Sequence, residues 1–440
     1  MTGTVPLLRA RRRAVDVSLS LRSLVGADAD VLADRDFRLL LLASLISPMG
    51  ASVVSPIVES LAGPYGVSAT EVALLLSAFT APGIVCIPLS GVLADRYGRK
   101  PVLAGGLALF GLAGLGLALT TDFRVALALR LLQGVGYTGI GPILITATGD
   151  LFSGARESAA QGVRFTAVGA SLTVFPFLSG VLVAFAWQFP FLLYAAALPV
   201  AVVVAVRFTE PADLGGDSDT DDDDASGGVR ALLALARQPR VAATLLGRAA
   251  PGFLWFAFLT YNSIVVVRLL GGTPGAAGAL VAVASVTSAV ATTQVGRLTA
   301  RFGRTLPTFA SLVVGAVGLA GLALAPSVPA ALAAGIPVGA GFSVALTLYR
   351  SAITGLASDD LRGGLVSLGE SIGRVGSTGA PIAMGAVVTL LTAPLGYAGA
   401  VRAVSLVVAA GVVVVGGVLL VVGEQGAGTG AATDATAGDD

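Results

Sequence analysis

The 440-residue sequence contains no histidine, one lysine and one cysteine, and these absences exclude several classes of site. Zinc sites, Ser/His/Asp triads and Cys/His pairs each need an imidazole or a second thiolate. The single cysteine, Cys86, also excludes an intrachain disulfide. No Gly-Lys-Ser/Thr phosphate-binding loop occurs, so an ATP-driven pump on this chain is excluded. We therefore expect no enzyme, no metal site and no cofactor.

Charged residues are also scarce. They make up 12% of the sequence, whereas soluble domains have roughly 25%. Hydrophobic residues reach 55% and the mean hydropathy is +0.88. A bilayer-spanning helix needs about 20 apolar residues, and twelve such runs occur. They cover approximately 37–61, 70–94, 101–120, 124–149, 160–184, 188–207, 241–266, 275–297, 305–325, 329–355, 363–392 and 396–422. Runs of this length predict helices rather than a β-barrel, so we predict an all-α integral membrane protein with twelve transmembrane helices.

The polar segments divide the chain into five parts. A basic arm (1–36) precedes a first six-helix half (37–207), an acidic linker (208–240), a second six-helix half (241–422) and an acidic tail (423–440). The acidic segments indicate either disorder or adaptation of the aqueous parts to high salt. Most Lys and Arg residues fall on one side if both termini are cytoplasmic, which predicts a multi-pass plasma-membrane protein in that orientation.

An internal repeat relates the two halves. At one constant offset, residues of the first half recur in the second: Gly91, Leu93, Arg96, Gly98 and Arg99 as Gly296, Leu298, Arg301, Gly303 and Arg304; Gly134 and Gly136 as Gly339 and Gly341; Pro176 and Gly180 as Pro381 and Gly385. The halves are therefore predicted to be homologous. In transporters built from parallel repeats, the binding site lies at the interface of the halves near the middle of the membrane.

The loop between the second and third spans reads GVLADRYGRK over residues 91–100. It resembles the signature loop of the major facilitator superfamily, which implies a gating motif formed by Gly91, Asp95, Arg96, Gly98, Arg99 and Lys100. Gly91 would let two helices approach closely. Asp95 would lie at the N-terminus of a neighbouring helix, where the macrodipole favours an anion. The resemblance identifies that neighbour as the eleventh helix, beginning near Gly363, and implies a latch that holds the cytoplasmic side shut.

A tight basic turn that only fixes topology is the alternative interpretation of this loop. The second copy of the motif has Ala300 where the first has Asp95. The latch is therefore predicted to be one-sided.

The fourth span carries RLLQGVG, which resembles the superfamily pattern R-x-x-Q-G-x-G and contributes Arg130, Gln133 and Gly134. An arginine inside a span costs at least a few kcal/mol unless it faces a cavity or a partner. Arg130 therefore indicates a wet central cavity, and the resemblance implies a role in substrate binding or proton coupling. The alternative is a structural arginine that reaches the external interface.

The seventh span has the densest aromatic cluster. Trp255, Phe258 and Asn262 fall on one helix face. The resemblance implies that helices 1, 4, 7 and 10 line the cavity, so these residues are candidates for binding an amphipathic ligand. A lipid-facing aromatic belt is the competing interpretation.

Without histidine, only a carboxylate can titrate usefully inside the spans. The candidates are Glu370, spaced i, i+4 from Arg374 as in a structural ion pair, and Glu59. We favour Glu59, paired with Arg130, as the coupling group. Arg164, Arg350 and Arg374 lie near the cytoplasmic side of their spans, so snorkelling to the interface is the simpler alternative for them.

The segment SVVSP, the signature loop and WQFPF at Trp187 look most like the twelve-helix drug:proton antiporter branch of the superfamily. In the fifth span, Ser171, Phe175 and Ser179 replace three of the four glycines of the antiporter motif G-x-x-x-G-P-x-x-G-G. The resemblance implies a monomeric secondary active transporter working by alternating access, with proton-coupled efflux of small amphipathic compounds. The alternative is a proton symporter or uniporter for a nutrient such as a sugar or organic acid. The expected partners are the substrate, the proton and the lipid bilayer, and no nucleic acid.

Overall fold

The computed structural model describes residues 31–210 and 222–434. Most of the predicted basic arm, the centre of the acidic linker and residues 435–440 of the tail lie outside the described residues. No strand occurs in the parts that are described, in agreement with the predicted all-α class.

Six helical segments form the first half. They are α1 (Arg35–Ile46, Met49–Ser52, Ser55–Ile57 and Val58–Tyr65), α2 (Ala69–Val72, Leu74–Thr80 and Gly83–Tyr97), α3 (Arg99–Gly116 and Leu117–Leu119), α4 (Phe123–Thr138 and Gly141–Leu151), α5 (Gly154–Leu182) and α6 (Phe189–Leu192, Leu193–Ala196 and Ala197–Arg207). Prolines account for some of the breaks, because proline removes a helical hydrogen bond.

The second half follows a helix in the linker, Asp222–Arg237. Its segments are α7 (Pro239–Gly247, Ala249–Ser263 and a π-helical turn at Ile264–Leu269), α8 (Pro274–Thr292 and Val295–Phe302), α9 (Thr305–Ala323), α10 (Val328–Thr354), α11 (359–395) and α12 (397–434). The last two are continuous apart from Gly396, whose φ of 68° and ψ of 163° break the helix. The helix bundle has two ends. We call the end that carries Glu59 the Glu59 end, and the opposite one the Asp95 end.

Ten helices among the described residues are long and apolar enough to cross a membrane. One of them, Leu361–Glu424, has 64 residues. At 1.5 Å per residue it would be about 96 Å long, roughly three times the hydrocarbon thickness, so its break at Gly396 divides it into two crossings. The two pieces of α4 are each too short to be counted alone. The arrangement is consistent with twelve crossings.

The repeat predicted from the sequence is visible in equivalent helix crossings. A Cβ added to Gly134 of α4 would lie 2.2 Å from the Phe79 carbonyl oxygen of α2. Its counterpart, Gly339 of α10, would place a Cβ 1.9 Å from the Ala284 carbonyl oxygen of α8. Phe79 and Ala284 are separated by the same offset as the two glycines. Because only glycine permits this approach, the two halves are built alike.

Two related crossings join the halves. In the first, a Cβ on Gly180 of α5 would lie 2.3 Å from the Pro274 carbonyl oxygen of α8, so the two backbones are in direct contact. In the second, a Cβ on Gly385 of α11 would lie 3.2 Å from Thr70 of α2, a looser approach. Both crossings lie near the Glu59 end.

Candidate functional site

The interface between the halves is closed at the Glu59 end by a chain of polar contacts. Glu59 Oε1 of α1 lies 3.9 Å from Arg268 Nε of α7. The Arg268 guanidinium lies 4.1 Å from the ring centroid of Tyr397, at the start of α12. The Tyr397 hydroxyl hydrogen-bonds to Thr70 Oγ1 of α2 at 3.2 Å. Four helices from both halves are therefore joined at this end.

A second set of contacts lies deeper in the same interface. Asn262 Nδ2 donates to Ser55 Oγ at 2.6 Å, and Ser55 Oγ donates to the Leu259 carbonyl oxygen at 2.8 Å. Between α2 and α11, the Ser77 hydroxyl donates to the Thr378 carbonyl oxygen at 2.8 Å. These bonds join neutral hydroxyl, amide and backbone carbonyl groups of the two halves, so they stabilise the contact without placing net charge in it.

A third contact between the halves is a pair of side chains near the middle of α4 and α11. Arg374 Nη2 of α11 donates to the Tyr137 hydroxyl of α4 at 3.2 Å. The guanidinium also lies 4.9 Å from the Tyr137 ring centroid, a cation–π distance. Gly83 of α2 gives Arg374 room, since a Cβ there would be 3.3 Å from Arg374 Cδ.

Toward the Asp95 end the halves separate. The Asp95 side chain is 70% exposed, and its Oδ1 accepts from Arg99 Nη1 at 2.6 Å on its own side of the interface. A Cβ on Gly91, Gly162 or Gly296 would meet no atom within 4 Å. Among the described side chains, neither the predicted latch between Asp95 and α11 nor the predicted close approach at Gly91 is formed in this conformation. Asp95 pairs instead with Arg99 of its own half.

The rest of the predicted gating motif is held within the first half. Arg99 Nε donates to Asp150 Oδ2 at 3.1 Å, and the Arg96 guanidinium lies 5.5 Å from the Tyr97 ring centroid. Gly98 has a φ of 94°, which favours glycine.

Glu210 has a role that the sequence interpretation missed. Its carboxylate accepts from the backbone N–H groups of Arg99 and Lys100, the latter at 3.2 Å. These donors open α3, so Glu210 supplies the anion that the N-terminus of a helix favours. The sequence signal was an acidic residue directly after the sixth apolar run.

An ion cluster lies below the Arg374–Tyr137 pair, on the side of the Asp95 end. Glu370 of α11 accepts a bidentate pair of hydrogen bonds from Arg350 of α10, at 2.7 and 3.0 Å. Arg248 of α7 lies 3.2 Å away on the same carboxylate. The predicted Glu370–Arg374 ion pair is therefore wrong for this conformation. The geometric reason is that a guanidinium fork from another helix aligns with both carboxylate oxygens, whereas Arg374 turns to Tyr137.

Arg164 brings a fourth guanidinium, from α5 in the first half. Its side chain is only 4% exposed, and its Nε donates to Gln161 Oε1 at 2.9 Å. Arg164 lies near enough to Tyr137 and Arg350 for direct electrostatic interaction. We call the part of the interface formed by these side chains the vestibule. Its residues are Tyr137, Arg164, Arg248, Arg350, Glu370 and Arg374.

Arg130 lies inside the first half and not in the vestibule. It is fully buried. Its Nε donates to the Leu75 carbonyl oxygen at 2.9 Å, and its Nη1 donates to Gln133 Oε1 at 2.5 Å. The Phe79 ring centroid lies 4.6 Å from the guanidinium. The expected pairing of Glu59 with Arg130 is not formed here, because Arg130 is enclosed by its own half and Glu59 contacts Arg268.

The predicted aromatic cluster of α7 is buried in protein. The Trp255 ring stacks on Phe342 of α10, with centroids 4.5 Å apart and an interplanar angle of 16°. Phe258 lies 5.4 Å from Trp255. Phe258 and Asn262 have no exposed surface, and Trp255 has 7%. Such burial does not fit a lipid-facing aromatic belt.

A family model and several known proteins match this chain. The model of the Major Facilitator Superfamily matches residues 40–268, which is more than half of the sequence. The chain belongs to this superfamily. A solved structure of a bacterial homolog of the human lysosomal transporter Spinster, in an inward-facing and unoccupied conformation, has a similar fold. Its TM-score is 0.73 at 16% identity, covering 92% of this chain and 98% of that one.

Two relatives of this superfamily member come from Bacillus subtilis (strain 168). The bacillibactin exporter is 33% identical over 154 residues, which is 33% of this chain and 38% of the exporter. Multidrug resistance protein 2 is 26% identical over 170 residues, which is 39% of this chain and 42% of that protein. The matched region therefore spans less than half the length of either relative.

Proposed function

We propose that this superfamily member is a secondary active transporter in the plasma membrane that exports small amphipathic compounds against proton entry. The observation that carries the proposal is an interface between homologous halves that is sealed at one end and open at the other, with buried ionisable groups between them. Alternating access needs two such gates around one site. The names of the two relatives, an exporter and a multidrug resistance protein, favour export.

We place the Asp95 end and both termini in the cytoplasm. Arginines cluster at this end, where α2 ends and α3 begins, where α8 ends and α9 begins, and at the start of α5. Loops with excess Lys and Arg remain cytoplasmic during insertion. The described conformation would then be open to the cytoplasm, ready to load a compound for export.

Two carboxylates are the candidates for proton coupling. Glu59 lies at the sealed end, and its Oε2 is buried without a hydrogen-bond partner among the described residues. Glu370 lies in the vestibule between two arginines. Opening of the Glu59 end would separate Glu59 from Arg268, and this change of neighbours would alter its affinity for a proton. Trp255, Phe258 and Asn262 are proposed to meet the substrate when that end opens.

Purified protein in liposomes with an imposed pH gradient tests this function. We expect a gradient to drive uphill movement of at least one amphipathic dye, and an ionophore that collapses the gradient to abolish it. Glu59→Gln is expected to lose the gradient-driven component while retaining exchange of dye across the membrane. Uphill transport retained in both Glu59→Gln and Glu370→Gln would refute coupling through these carboxylates. Selective accumulation of a sugar or organic acid with the proton would favour the nutrient symporter.

A further inference from the structure

The arginines of the vestibule outnumber its acids. Arg248, Arg350 and Arg374 lie around one carboxylate, Glu370, and Arg164 interacts with Arg350. Among the described residues, Glu370 is the acid that forms salt bridges with members of this group. Arg248 and Arg350 repel one another and compete for the same carboxylate. The cluster therefore retains excess positive charge, and an uncompensated charge is costly at its two buried arginines, Arg164 and Arg248.

Hydrogen-bond donors in the cluster are also unused. Arg164 Nη2 has no hydrogen-bond partner among the described residues, although Arg164 is only 4% exposed; its guanidinium lies 4.6 Å from the Phe165 ring centroid, which accepts no conventional hydrogen bond. Arg248 Nε is likewise buried without an acceptor among these residues. Buried donors are rarely left unpaired, because each loses its bonds to water. Arg164 is an electrostatic neighbour of Tyr137, in its own half, and of Arg350, in the second half, so we assign its free donor to the vestibule.

These donors come from both halves of the protein. Arg164 and Tyr137 belong to α5 and α4, whereas Arg350 and Arg374 belong to α10 and α11. An anion bound between them would contact both halves at once. A guanidinium fork matches the two oxygens of a carboxylate, and a tyrosine hydroxyl can donate to the same group. A cationic ligand would meet excess positive charge and a carboxylate already occupied by two arginines.

We propose that the vestibule binds an organic anion, with the acidic group of the substrate held between Arg164, Arg350 and Arg374. The inference rests on the proposed transport function and narrows its amphipathic substrates to those that carry a negative charge. The bound anion supplies the missing negative charge and accepts from the unpaired donor of Arg164. Glu370 keeps Arg350 oriented toward this position.

Equilibrium binding to the purified full-length protein in neutral detergent tests the inference without any gradient. Carboxyfluorescein and rhodamine 6G share a xanthene core and carry opposite charge, so fluorescence anisotropy compares charge at similar size. We expect carboxyfluorescein to bind at least tenfold more tightly than rhodamine 6G. We also expect its affinity to fall as salt is added, because salt screens the interaction. Equal or tighter binding of rhodamine 6G would overturn the inference.

Variants assign the anion to the named arginines. Arg164→Gln and Arg374→Gln are each expected to weaken carboxyfluorescein binding at least tenfold, and Arg164→Lys is expected to restore part of the loss because the charge returns. Arg301→Gln, at an exposed position near the end of α8, is the matched control and should bind as the parent does. Unchanged affinity in both vestibule variants would overturn the proposal, and so would a loss of equal size in the control. If a variant fails to fold, the inference is tested by the parent protein alone, through the salt dependence of carboxyfluorescein binding and the preference for carboxyfluorescein over rhodamine 6G.

Two further measurements separate the possible outcomes. The first distinguishes a transported anion from a bound lipid. The second distinguishes failure of the anion site from failure of the proposed transport function. An anionic lipid headgroup could fill the same site, so phosphatidylglycerol is added as a competitor. If the lipid displaces carboxyfluorescein and liposomes containing the protein do not transport the dye, the proposal of a transported anion is wrong. If carboxyfluorescein binds but no pH gradient drives either dye, the proposed function fails and the anion site stands. Gradient-driven transport of rhodamine 6G alone would leave the function intact and remove the anion site.

Discussion

Glu370 is the residue on which the charge balance of the second half depends. Its carboxylate is 24% exposed and contacts Arg248, whose side chain is 7% exposed, as well as the more exposed Arg350. Removal of one partner of a buried ion pair leaves the other charge uncompensated, whereas replacement of both partners is often tolerated. The two arginines should therefore respond differently to loss of the carboxylate.

We expect Glu370→Gln to lower the free energy of unfolding, by about 3 kcal/mol in view of the partial exposure of the pair. Thermal unfolding in detergent measures the effect. The double variant Glu370→Gln/Arg248→Gln should recover much of the lost stability, because the buried cation is removed with its partner. Arg350→Gln alone should cost less than Arg248→Gln. A double variant that is less stable than Glu370→Gln would contradict this account.

Arg130 gives a second prediction at the residue scale, since its partners are a backbone carbonyl and a buried amide. Arg130→Gln would leave these acceptors unpaired, at about 1 to 3 kcal/mol for each group. We expect a lower unfolding temperature than in Arg124→Gln, a matched change at an exposed position of the same helix. Native thermal stability combined with abolished transport would show that Arg130 acts in transport and not in folding.

The sequence predicted which residues carry charge inside the spans but not their partners. The spacing of Glu370 and Arg374 describes neighbours on one helix, and spacing contains no information on Arg248 and Arg350, which other helices bring to the carboxylate. Arg130 shows the same limit. Its helix face is evident from the pattern, but whether that face meets a cavity or its own half depends on packing.

The repeat of the two halves is the part of the architecture that the sequence did predict, and equivalent helix crossings express it. Gly134 and Gly339 were paired by their constant offset, and both permit a backbone contact between the second and fourth helices of their halves. Repetition is informative here because close approach requires the smallest residue at the same point in each copy. The conformation of the gates was not predictable in this way, since one sequence must encode both the open and the closed state.

The crossing of α5 and α8 is expected to control the Glu59 end. Gly180 leaves no space for a methyl group next to the Pro274 carbonyl oxygen, so Gly180→Ala should separate the two helices and shift the population toward opening at this end. A cysteine at Ser55, in a Cys86→Ser background, should then react faster with a water-soluble thiol reagent applied from outside. Gly162→Ala on the same helix, where a Cβ meets no atom, is the control. Equal labelling rates in the two variants would refute the predicted role of the crossing.

At the scale of the whole molecule, the two ends differ in how they are held. The Glu59 end has several contacts between the halves, including Glu59–Arg268 and Asn262–Ser55. At the Asp95 end, the one candidate latch is released and exposed. When this end closes, contacts must form between the halves that the described conformation does not have. The contact that the sequence predicts is between the Asp95 carboxylate and the N-terminus of α11.

Asp95→Asn tests that contact directly, because it keeps the size of the side chain and removes its charge. A charge near a helix N-terminus contributes about 0.3 to 2 kcal/mol, so the population of the state open at the Asp95 end should rise by about 2- to 30-fold relative to the closed state. Pulsed electron paramagnetic resonance would measure the separation of the halves at this end. The spin labels would be attached to cysteines that replace Ser158 of α5 and Thr293, between the two pieces of α8, which are both exposed. The long-distance population should grow in Asp95→Asn, while Ala300→Asp, at the equivalent position of the second half, should have a smaller effect or the opposite one. Identical distance distributions for the parent and Asp95→Asn would show that this end closes without the latch.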